Sequence, residues 1–182
     1  MPIARPRTEE QLAAALDDVR QSPADGGTIA LICRRPAKNA REVLETGQID
    51  LAVGLVGDNW STKPSKKLGK PNPNAQLTLM NIRAVRALAD ESEWPLAGDN
   101  IYVDLDLSPD NLPPGTRLIV GESVLEVTED PHLGCSKFTD RFGSEATKWV
   151  NSKVGRSLNL RGINAKVVQG GAIKRGDTVR KA

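Results

Sequence analysis

Apolar residues recur along this chain with two spacings, which divide it into predicted helices and strands. In residues 8–21, TEEQLAAALDDVRQ, they repeat at helical intervals, and Thr8 with Gln11 three residues later matches a capping box. This segment therefore predicts an N-terminal helix. Shorter helices are predicted in NAREVLETG (39–47), in AQLTLMNIRAVRALADES (75–92) after a short strand, and in SEATKWVN (144–151), which Ser144 can cap.

Strands are predicted where aliphatic and β-branched residues cluster or alternate with polar ones. In NIYVDLDLS, Ile101 and Val103 fall on one face and Tyr102 and Asp104 on the other, the period of a half-buried strand. The other predicted strands lie in TIALICRRP (28–36), IDLAVGLVGDNW (49–60), the hairpin NLPPGTRLIVGESVLEVTEDP (111–131) and INAKVVQGGAIKRGDTVRKA (163–182), expected to form two strands around a glycine turn.

Many short strands, Gly and Pro turns and few helices are typical of an antiparallel β-barrel, or of a strongly bent sheet, with helices around it. We therefore predict a mainly β protein with helices, of the α+β class. Residues 61–74, STKPSKKLGKPNPN, contain almost no apolar side chains, so we expect an exposed and mobile loop there. The tripeptide GDN occurs at Gly57 and again at Gly98, and we interpret both occurrences as turns.

The composition narrows the function classes. The 182 residues are 38% apolar and 26% charged, and their 25 basic and 23 acidic side chains leave a net charge of +2, too balanced to predict a nucleic-acid partner. No apolar segment approaches the roughly 20 residues of a membrane helix, and MPIARPRTEEQ lacks the apolar core of a signal peptide. We expect a cytoplasmic protein that uses neither nucleic acid nor membrane as a partner.

Common catalytic and metal motifs are absent from the sequence. It contains no HExxH, no CxxC pair, no EF-hand loop, no Walker loop and no GxSxG elbow. A zinc or calcium site built from protein ligands alone is therefore not expected. The two cysteines, Cys33 and Cys135, are expected to be reduced, and Cys33, inside a predicted strand, to be a small buried hydrophobe.

The segment TEDPHLGCSKFTDRFG carries the strongest candidate chemistry. It places Cys135 on a turn-like loop after a predicted strand, with Lys137 and Arg141 close by in sequence. Neighbouring cations favour the thiolate, which is both a nucleophile and a soft ligand for a metal such as molybdenum. His132, the only histidine, is a candidate to orient or protonate a ligand. The alternatives are an incidental cysteine beside surface charges and a histidine that is merely hydrogen-bonded.

Other basic and polar residues are candidates to converge on this loop. Arg161 and Asn164 precede a predicted strand, and Arg83 lies on a helix that follows one. A phosphate or pterin ligand suits such donors, because arginine offers bidentate geometry. The alternative is an ordinary solvated face.

These residues together resemble the MOSC domain family, named for the C-terminal domain of molybdenum cofactor sulfurases. The most specific part is PHLGCSKF followed by RFG and then RGINAKVV, and the likeness covers roughly residues 28–181. It indicates the small stand-alone bacterial type, with one domain over residues 1–182, the N-terminal helix at about 8–21 and a MOSC-type β-barrel core at about 28–181 surrounded by peripheral helices. It further implies that Cys135 is the key residue and the metal ligand.

The resemblance implies a molybdenum–pterin cofactor held by Cys135 in an enzyme that reduces N-hydroxylated small molecules. An electron-donor protein would supply the electrons. A second interpretation is a sulfur carrier, a sulfurtransferase-like protein. In it Cys135 would carry sulfur as a persulfide from a donor protein to an acceptor protein. A third, of another class, is a non-catalytic module that binds an anion or a partner. Pyridoxal phosphate is not expected, since the sequence contains no lyase domain.

Overall fold

The computed structural model describes residues 3–65 and 67–182, which form strands and short helices. The helices in this part of the chain are α1 (Glu9–Ala14), α2 (Leu16–Arg20), α3 (Ile82–Leu88), α4 (Ser136–Phe142), α5 (Ser144–Asn151) and α6 (Lys153–Ser157). The strands are β1 (Gly27–Arg34), β2 (Glu42–Leu44), β3 (Thr46–Asp50), β4 (Gly54–Leu55), β5 (Leu77–Asn81), β6 (Ile101–Asp104), β7 (Arg117–Val120), β8 (Ser123–Val127), β9 (Ile163–Gln169), β10 (Gly171–Lys174) and β11 (Thr178–Lys181).

Seven of these strands close into a barrel. They follow the order β11, β7, β8, β9, β5, β6, β1, and β1 pairs back onto β11 through Gly27 with Val179 and Thr28 with Thr178. Strand β2 extends the sheet beside β1, and β10, β3 and β4 form a small separate sheet. The predicted barrel with peripheral helices is confirmed.

One pair in the barrel is parallel, β5 with β6, while the other barrel pairs are antiparallel. Parallel neighbours require a crossover connection rather than a hairpin. Here the crossover consists of α3 followed by the 3-10 helix Glu91–Ala97, whose C-cap residue is Gly98. This connection carries residues 95–100 past the barrel wall to the side where Cys135 lies.

The core has two parts, on the two sides of the barrel wall. Ile101 and Val103 belong to the cluster that fills the barrel, whereas Tyr102 belongs to a second cluster beneath the helices. The predicted alternation in this strand is therefore present, but the prediction of a half-buried strand is wrong for Tyr102, which is fully buried. Its hydroxyl donates to the Trp94 carbonyl at 3.0 Å and so fastens the 3-10 helix to the barrel.

The structure corrects one helix prediction. Within the predicted helix 39–47, residues 42–44 form β2 by pairing with β1, and residues 46–47 begin β3, which pairs with β10. Strand pairing overrides a weak local helical preference here. The N-terminal helix is confirmed with its Thr8–Gln11 capping box but is divided at Ala15 into α1 and α2.

The second half of the chain differs from the prediction in its details. Helix α5 has the predicted bounds, but Gly143 rather than Ser144 is its N-cap. Helices α4 and α6 were not predicted, and the C-terminal segment forms three strands instead of two. Most described residues of the polar loop 61–74 are exposed as expected, and Lys66 within it lies outside the described residues.

Within the described residues, the helices are all too short or too polar to cross a membrane.

We predict that the barrel core is sensitive to truncation. Leu125→Ala removes a fully buried side chain and should lower the free energy of unfolding by about 2–5 kcal/mol, because it loses apolar burial and leaves a cavity. Leu51→Ala, at a position 62% exposed, is the matched control and should change it by about 0.5 kcal/mol or less. Urea denaturation measures both, and equal effects would contradict the assignment of Leu125 to the core.

Candidate functional site

Cys135 lies on the loop between β8 and α4, where it is the N-cap residue of α4, and its side chain is exposed. The sulfur makes no capping hydrogen bond. The loop is bound to α5 at Gly134, the residue before Cys135. Asn151 of α5 accepts from Gly134 N at 2.8 Å and donates to Gly134 O at 2.9 Å. A Cβ at Gly134 would lie 2.9 Å from Val150 Cγ2, so this tight approach to α5 requires glycine. The thiol is thus presented from a fixed backbone.

Cys135 opens into a cleft of about 830 Å³, here called the cysteine cleft. It is bounded by the β1–β2 loop, the turn after Trp60, the end of the 3-10 helix and the start of α4. No aspartate or glutamate lines the cleft in the described part of the chain, whereas seven cations do. The cations are Arg35, Lys38, Arg41, Lys63, Lys137, Arg141 and Arg161. A cavity with this lining favours an anionic ligand.

The buried carboxylate of Asp99 lies behind the lining of this cleft, where it contacts two lining residues. Asp99 Oδ1 lies 2.8 Å from His132 Nε2, and Asp99 Oδ2 accepts from Arg161 Nη1 at 2.6 Å. Asp99 is fully buried and Arg161 is 8% exposed, so the pair is shielded from water. The Arg161 guanidinium also lies over the Phe138 ring, 5.0 Å from its centroid. His132 and Arg161 both line the cysteine cleft.

Burial and charge set the protonation states of this group. Burial acts to raise the pKa of Asp99, but Arg161 and His132 outweigh it and hold that pKa at about 2. The pKa of His132 is lowered, first by burial and then by the charge of Arg161, which together exceed the opposing effect of Asp99. His132 is therefore neutral at pH 7, donates from Nε2 to Asp99, and keeps Nδ1 as an acceptor.

A second buried carboxylate, that of Asp58, holds Arg35 in the lining of the cleft. Asp58 accepts from Arg35 Nε at 2.9 Å and from Arg35 Nη2 at 2.8 Å, a bidentate pair. Asn100 Nδ2 donates to Asp58 Oδ1 at 3.2 Å, which links this pair to the crossover segment. Asp58 and Asp99 are the central residues of the two GDN tripeptides, and each follows a glycine with positive φ, Gly57 and Gly98.

A second concavity, here called the side cleft, adjoins the first and has a volume of about 530 Å³. Asn164 lines it and donates to the Asp130 carbonyl at 3.0 Å. Asp130 in turn accepts from Asn72 Nδ2 at 2.7 Å, which ties the long polar loop to the barrel. The residues shared by the two clefts are Arg35, Asn59, Lys63, Pro64 and His132.

The structure brings most of the sequence-predicted residues together. Of these, Cys135, His132, Lys137, Arg141 and Arg161 line the cysteine cleft, and Asn164 lines the side cleft. Arg83 does not join them, because it pairs with Asp104 at 2.8 Å and with Asp18 at 3.2 Å and lines neither cleft. We leave Arg83 out of the proposed site.

Several residues in and around the cleft were not predicted from the sequence. Arg35 and Arg41 line it, and the buried Asp58 and Asp99 lie behind the lining, where they hold Arg35 and Arg161. The repeated GDN tripeptide was the available signal, because it placed a carboxylate twice in the same turn chemistry. Its meaning depends on partners distant in sequence, Arg35 for Asp58 and Arg161 for Asp99, which only the fold brings within reach.

Comparison with known proteins agrees with this architecture. The MOSC domain model matches residues 71–180. The YuaD protein from Bacillus subtilis is similar in structure, with a TM-score of 0.57 at 19% identity over 84% of this chain and 94% of that chain. YiiM from Escherichia coli is similar with a TM-score of 0.56 at 15% identity, over 85% of this chain and 69% of that chain. YiiM from Geobacillus stearothermophilus is similar with a TM-score of 0.57 at 14% identity, over 86% of this chain and 75% of that chain. No curated protein matches the chain. At these identities the structural likeness shows the fold.

We predict that the Asp99 carboxylate is essential to the stability of this wall. Asp99→Asn leaves the Arg161 charge buried without its counter-ion, so it should lower the free energy of unfolding by about 3–5 kcal/mol. Asp110→Asn, at an exposed aspartate, is the matched control and should change it by about 0.5 kcal/mol or less. Denaturant unfolding at pH 7 measures both, and a small effect at Asp99 would contradict a buried ion pair.

We also predict a pH dependence that originates in the single histidine. Because the folded state lowers the pKa of His132 from 6.5, the unfolded chain binds this proton more readily, and stability should fall as pH drops below about 6.5. In His132→Gln, the slope of the free energy of unfolding against pH between pH 7.5 and pH 5.5 should be smaller, since no other histidine is present. Parallel slopes in the two proteins would count against a histidine kept neutral by burial.

Proposed function

Because the chain belongs to the MOSC domain family, we propose that it binds a molybdenum–pterin cofactor through Cys135 and reduces N-hydroxylated small molecules. The observation that carries this proposal is the placement of the exposed Cys135 thiol in a cleft lined by cations and by no carboxylate of the described residues. A thiolate in such surroundings is a suitable soft ligand for one position of a metal.

The residues present suit such a group. In the described part of the chain, no three His, Cys, Asp or Glu side chains cluster as a metal site, so a metal at Cys135 would need its other ligands from a cofactor, as the dithiolene of a pterin supplies them. The cationic lining matches a phosphorylated ligand. Arg161 Nε is buried without a partner in the structure and is a donor available to a ligand.

Each side chain then has a defined part. Cys135 would hold the metal, and Lys137, Arg141 and Arg161 would neutralise the anionic portion of the cofactor. When bound, the cofactor supplies two-electron transfer at a metal. His132, held at Nε2 by Asp99, would exchange a proton with the substrate through Nδ1. Asn164 would extend the polar lining into the side cleft.

The proposed reaction needs partners outside this chain. Conversion of an N–OH group to N–H consumes two electrons and two protons and releases water. We propose that a donor protein supplies the electrons, because Cys33 is buried in β1 whereas Cys135 is exposed on its loop, so the two thiols do not form a pair that could be oxidised to a disulfide in the reaction. The substrate must be small enough for the space that the cofactor leaves in the two clefts.

We predict that Cys135 retains the metal. Wild-type protein purified from molybdenum-replete cells should contain molybdenum and a pterin, and Cys135→Ser should lose the molybdenum because the hydroxyl is a far weaker ligand than a thiolate. Cys33→Ala is the control: it removes the other sulfur, which lies buried in β1, and should leave the metal content unchanged. Elemental analysis and pterin fluorescence measure these contents. A wild-type protein without molybdenum and pterin would contradict the cofactor proposal.

The exposure of Cys135 also supports a second candidate, a persulfide carrier, because a sulfur handed between proteins must be reachable from both. The same preparations distinguish the two. Mass spectrometry of a carrier should detect an additional sulfur atom on Cys135 that a thiol reductant removes, with no bound molybdenum. A protein that carries neither molybdenum nor the extra sulfur, but still binds an anion, would favour the non-catalytic module.

A further inference from the structure

Four arginines from three segments, namely the β1–β2 loop, α4 and the turn before β9, donate to four successive backbone carbonyls at the end of the 3-10 helix. Residues 95–98 supply one carbonyl each, and we call this set the carbonyl row. The pairs are Arg41 Nε to Pro95 O at 3.1 Å, Arg141 Nη1 to Leu96 O at 2.9 Å, Arg161 Nη2 to Ala97 O at 3.0 Å and Arg35 Nη1 to Gly98 O at 3.1 Å. All four arginines line the cysteine cleft.

The carbonyl row attracts guanidinium groups for a physical reason. The last carbonyls of a helix lack the partners that a continuing helix would supply, and they carry its partial negative charge. In this row, Pro95 O also accepts from Gly98 N at 3.1 Å. An arginine that donates one N–H to such a carbonyl is fixed in direction, while its remaining N–H groups stay free for another acceptor. The row therefore orients cations that would otherwise repel one another.

The four arginines divide into two classes by their counter-ions. Arg35 and Arg161 each form an ion pair with a buried carboxylate, that of Asp58 or Asp99. Arg41 and Arg141 form no ion pair within the described residues and hydrogen-bond only to backbone carbonyls there. The positive charges of this second pair are uncompensated.

Arg41 and Arg141 also lie close together and face the cleft. A Cβ built on Gly98 would lie 3.0 Å from Arg41 Nη2 and 3.3 Å from Arg141 Nη1, so the two guanidinium groups flank this glycine. The pKa of Arg141 is lowered, first by burial and then by Arg41, against an opposing effect of Cys135. Two half-buried cations held side by side near the thiol repel each other, and a doubly charged anion bound between them would neutralise this repulsion.

We propose that Arg41 and Arg141 form a clamp for a dianionic oxyanion of the phosphate monoester class, preset by the carbonyl row, whereas Arg35 and Arg161 build the wall. The inference deepens the proposed function and rests on it for the place of the ligand. It does not require molybdenum, because the clamp consists of this chain's own donors. Lys63 and Lys137 stand beside it in the same lining.

Inorganic phosphate, added to the purified protein at constant ionic strength, tests the clamp. We expect phosphate to raise the thermal midpoint relative to chloride, and calorimetry to give one site. Arg41→Gln and Arg141→Gln should each weaken phosphate binding about tenfold to a hundredfold, the value of one charge-assisted bidentate contact. Arg180→Gln, at an exposed arginine of β11 outside the cleft, is the matched control and should bind phosphate as wild type does.

Lysine variants separate a lost clamp from a lost fold. Arg41→Lys and Arg141→Lys retain the charge but lose the fork that engages a carbonyl and an anion together, so binding should still weaken while the protein stays folded. Unchanged phosphate affinity in the Gln and Lys variants at positions 41 and 141 would overturn the proposal. An equal loss in Arg180→Gln would overturn it too, because it would indicate a general charge effect.

Two further comparisons separate this inference from the proposed function and identify the source of the anion. Cys135→Ser should retain phosphate binding even where it loses molybdenum, so either proposal can fail alone. If the clamp holds the phosphate of a bound cofactor, then cofactor-loaded protein should not respond to added phosphate. If it holds the phosphate of a substrate, then the loaded protein should respond as the cofactor-free protein does. A cofactor-free protein that ignores phosphate overturns the clamp.

Discussion

The buried carboxylate of Asp99 is the charge on which the functional end of this protein depends. It is fully buried, and it neutralises Arg161 while it fixes His132 through Nε2. Without a negative charge there, the Arg161 guanidinium, which lies over the Phe138 ring, would be buried in a low dielectric with no counter-ion. Asp99 thus compensates Arg161, as Asp58 compensates Arg35, and the other cations of the lining, among them Arg41 and Arg141, keep their positive charge.

The parallel pairing of β5 with β6 explains how such a carboxylate comes to lie near the thiol loop. A crossover must leave the barrel and return, and its return limb is the 3-10 helix that delivers residues 95–100 to the cleft. Tyr102 fastens this limb from beneath, by its hydroxyl bond to the Trp94 carbonyl. The second apolar cluster, between barrel and helices, is thus also the support of the site.

Local patterns in the sequence predicted the fold and the candidate residue Cys135, but not the residues that contact each other around the cleft. The capping box at Thr8, the strand-to-helix junction at Asn81 and the hairpin of β7 and β8 are set by neighbours a few residues apart, and they were predicted. Residues 42–44 become a strand through pairing with β1 and residues 46–47 through pairing with β10, and α4 is a short helix whose first residues were interpreted as a turn. The ion pairs of Asp58 and Asp99 join residues 23 and 62 positions apart, so no local pattern encodes them.

The carbonyl row has a consequence for how this chain can diverge. Four arginines from three segments are matched one to one with the successive carbonyls of residues 95–98, which are the end of the 3-10 helix and its cap. An insertion or deletion of a single residue before Gly98 would rotate and displace all four acceptors at once, and no single arginine substitution could restore the match. Lengthening is tolerable in the exposed loops of this protein, but the crossover must keep its residue count.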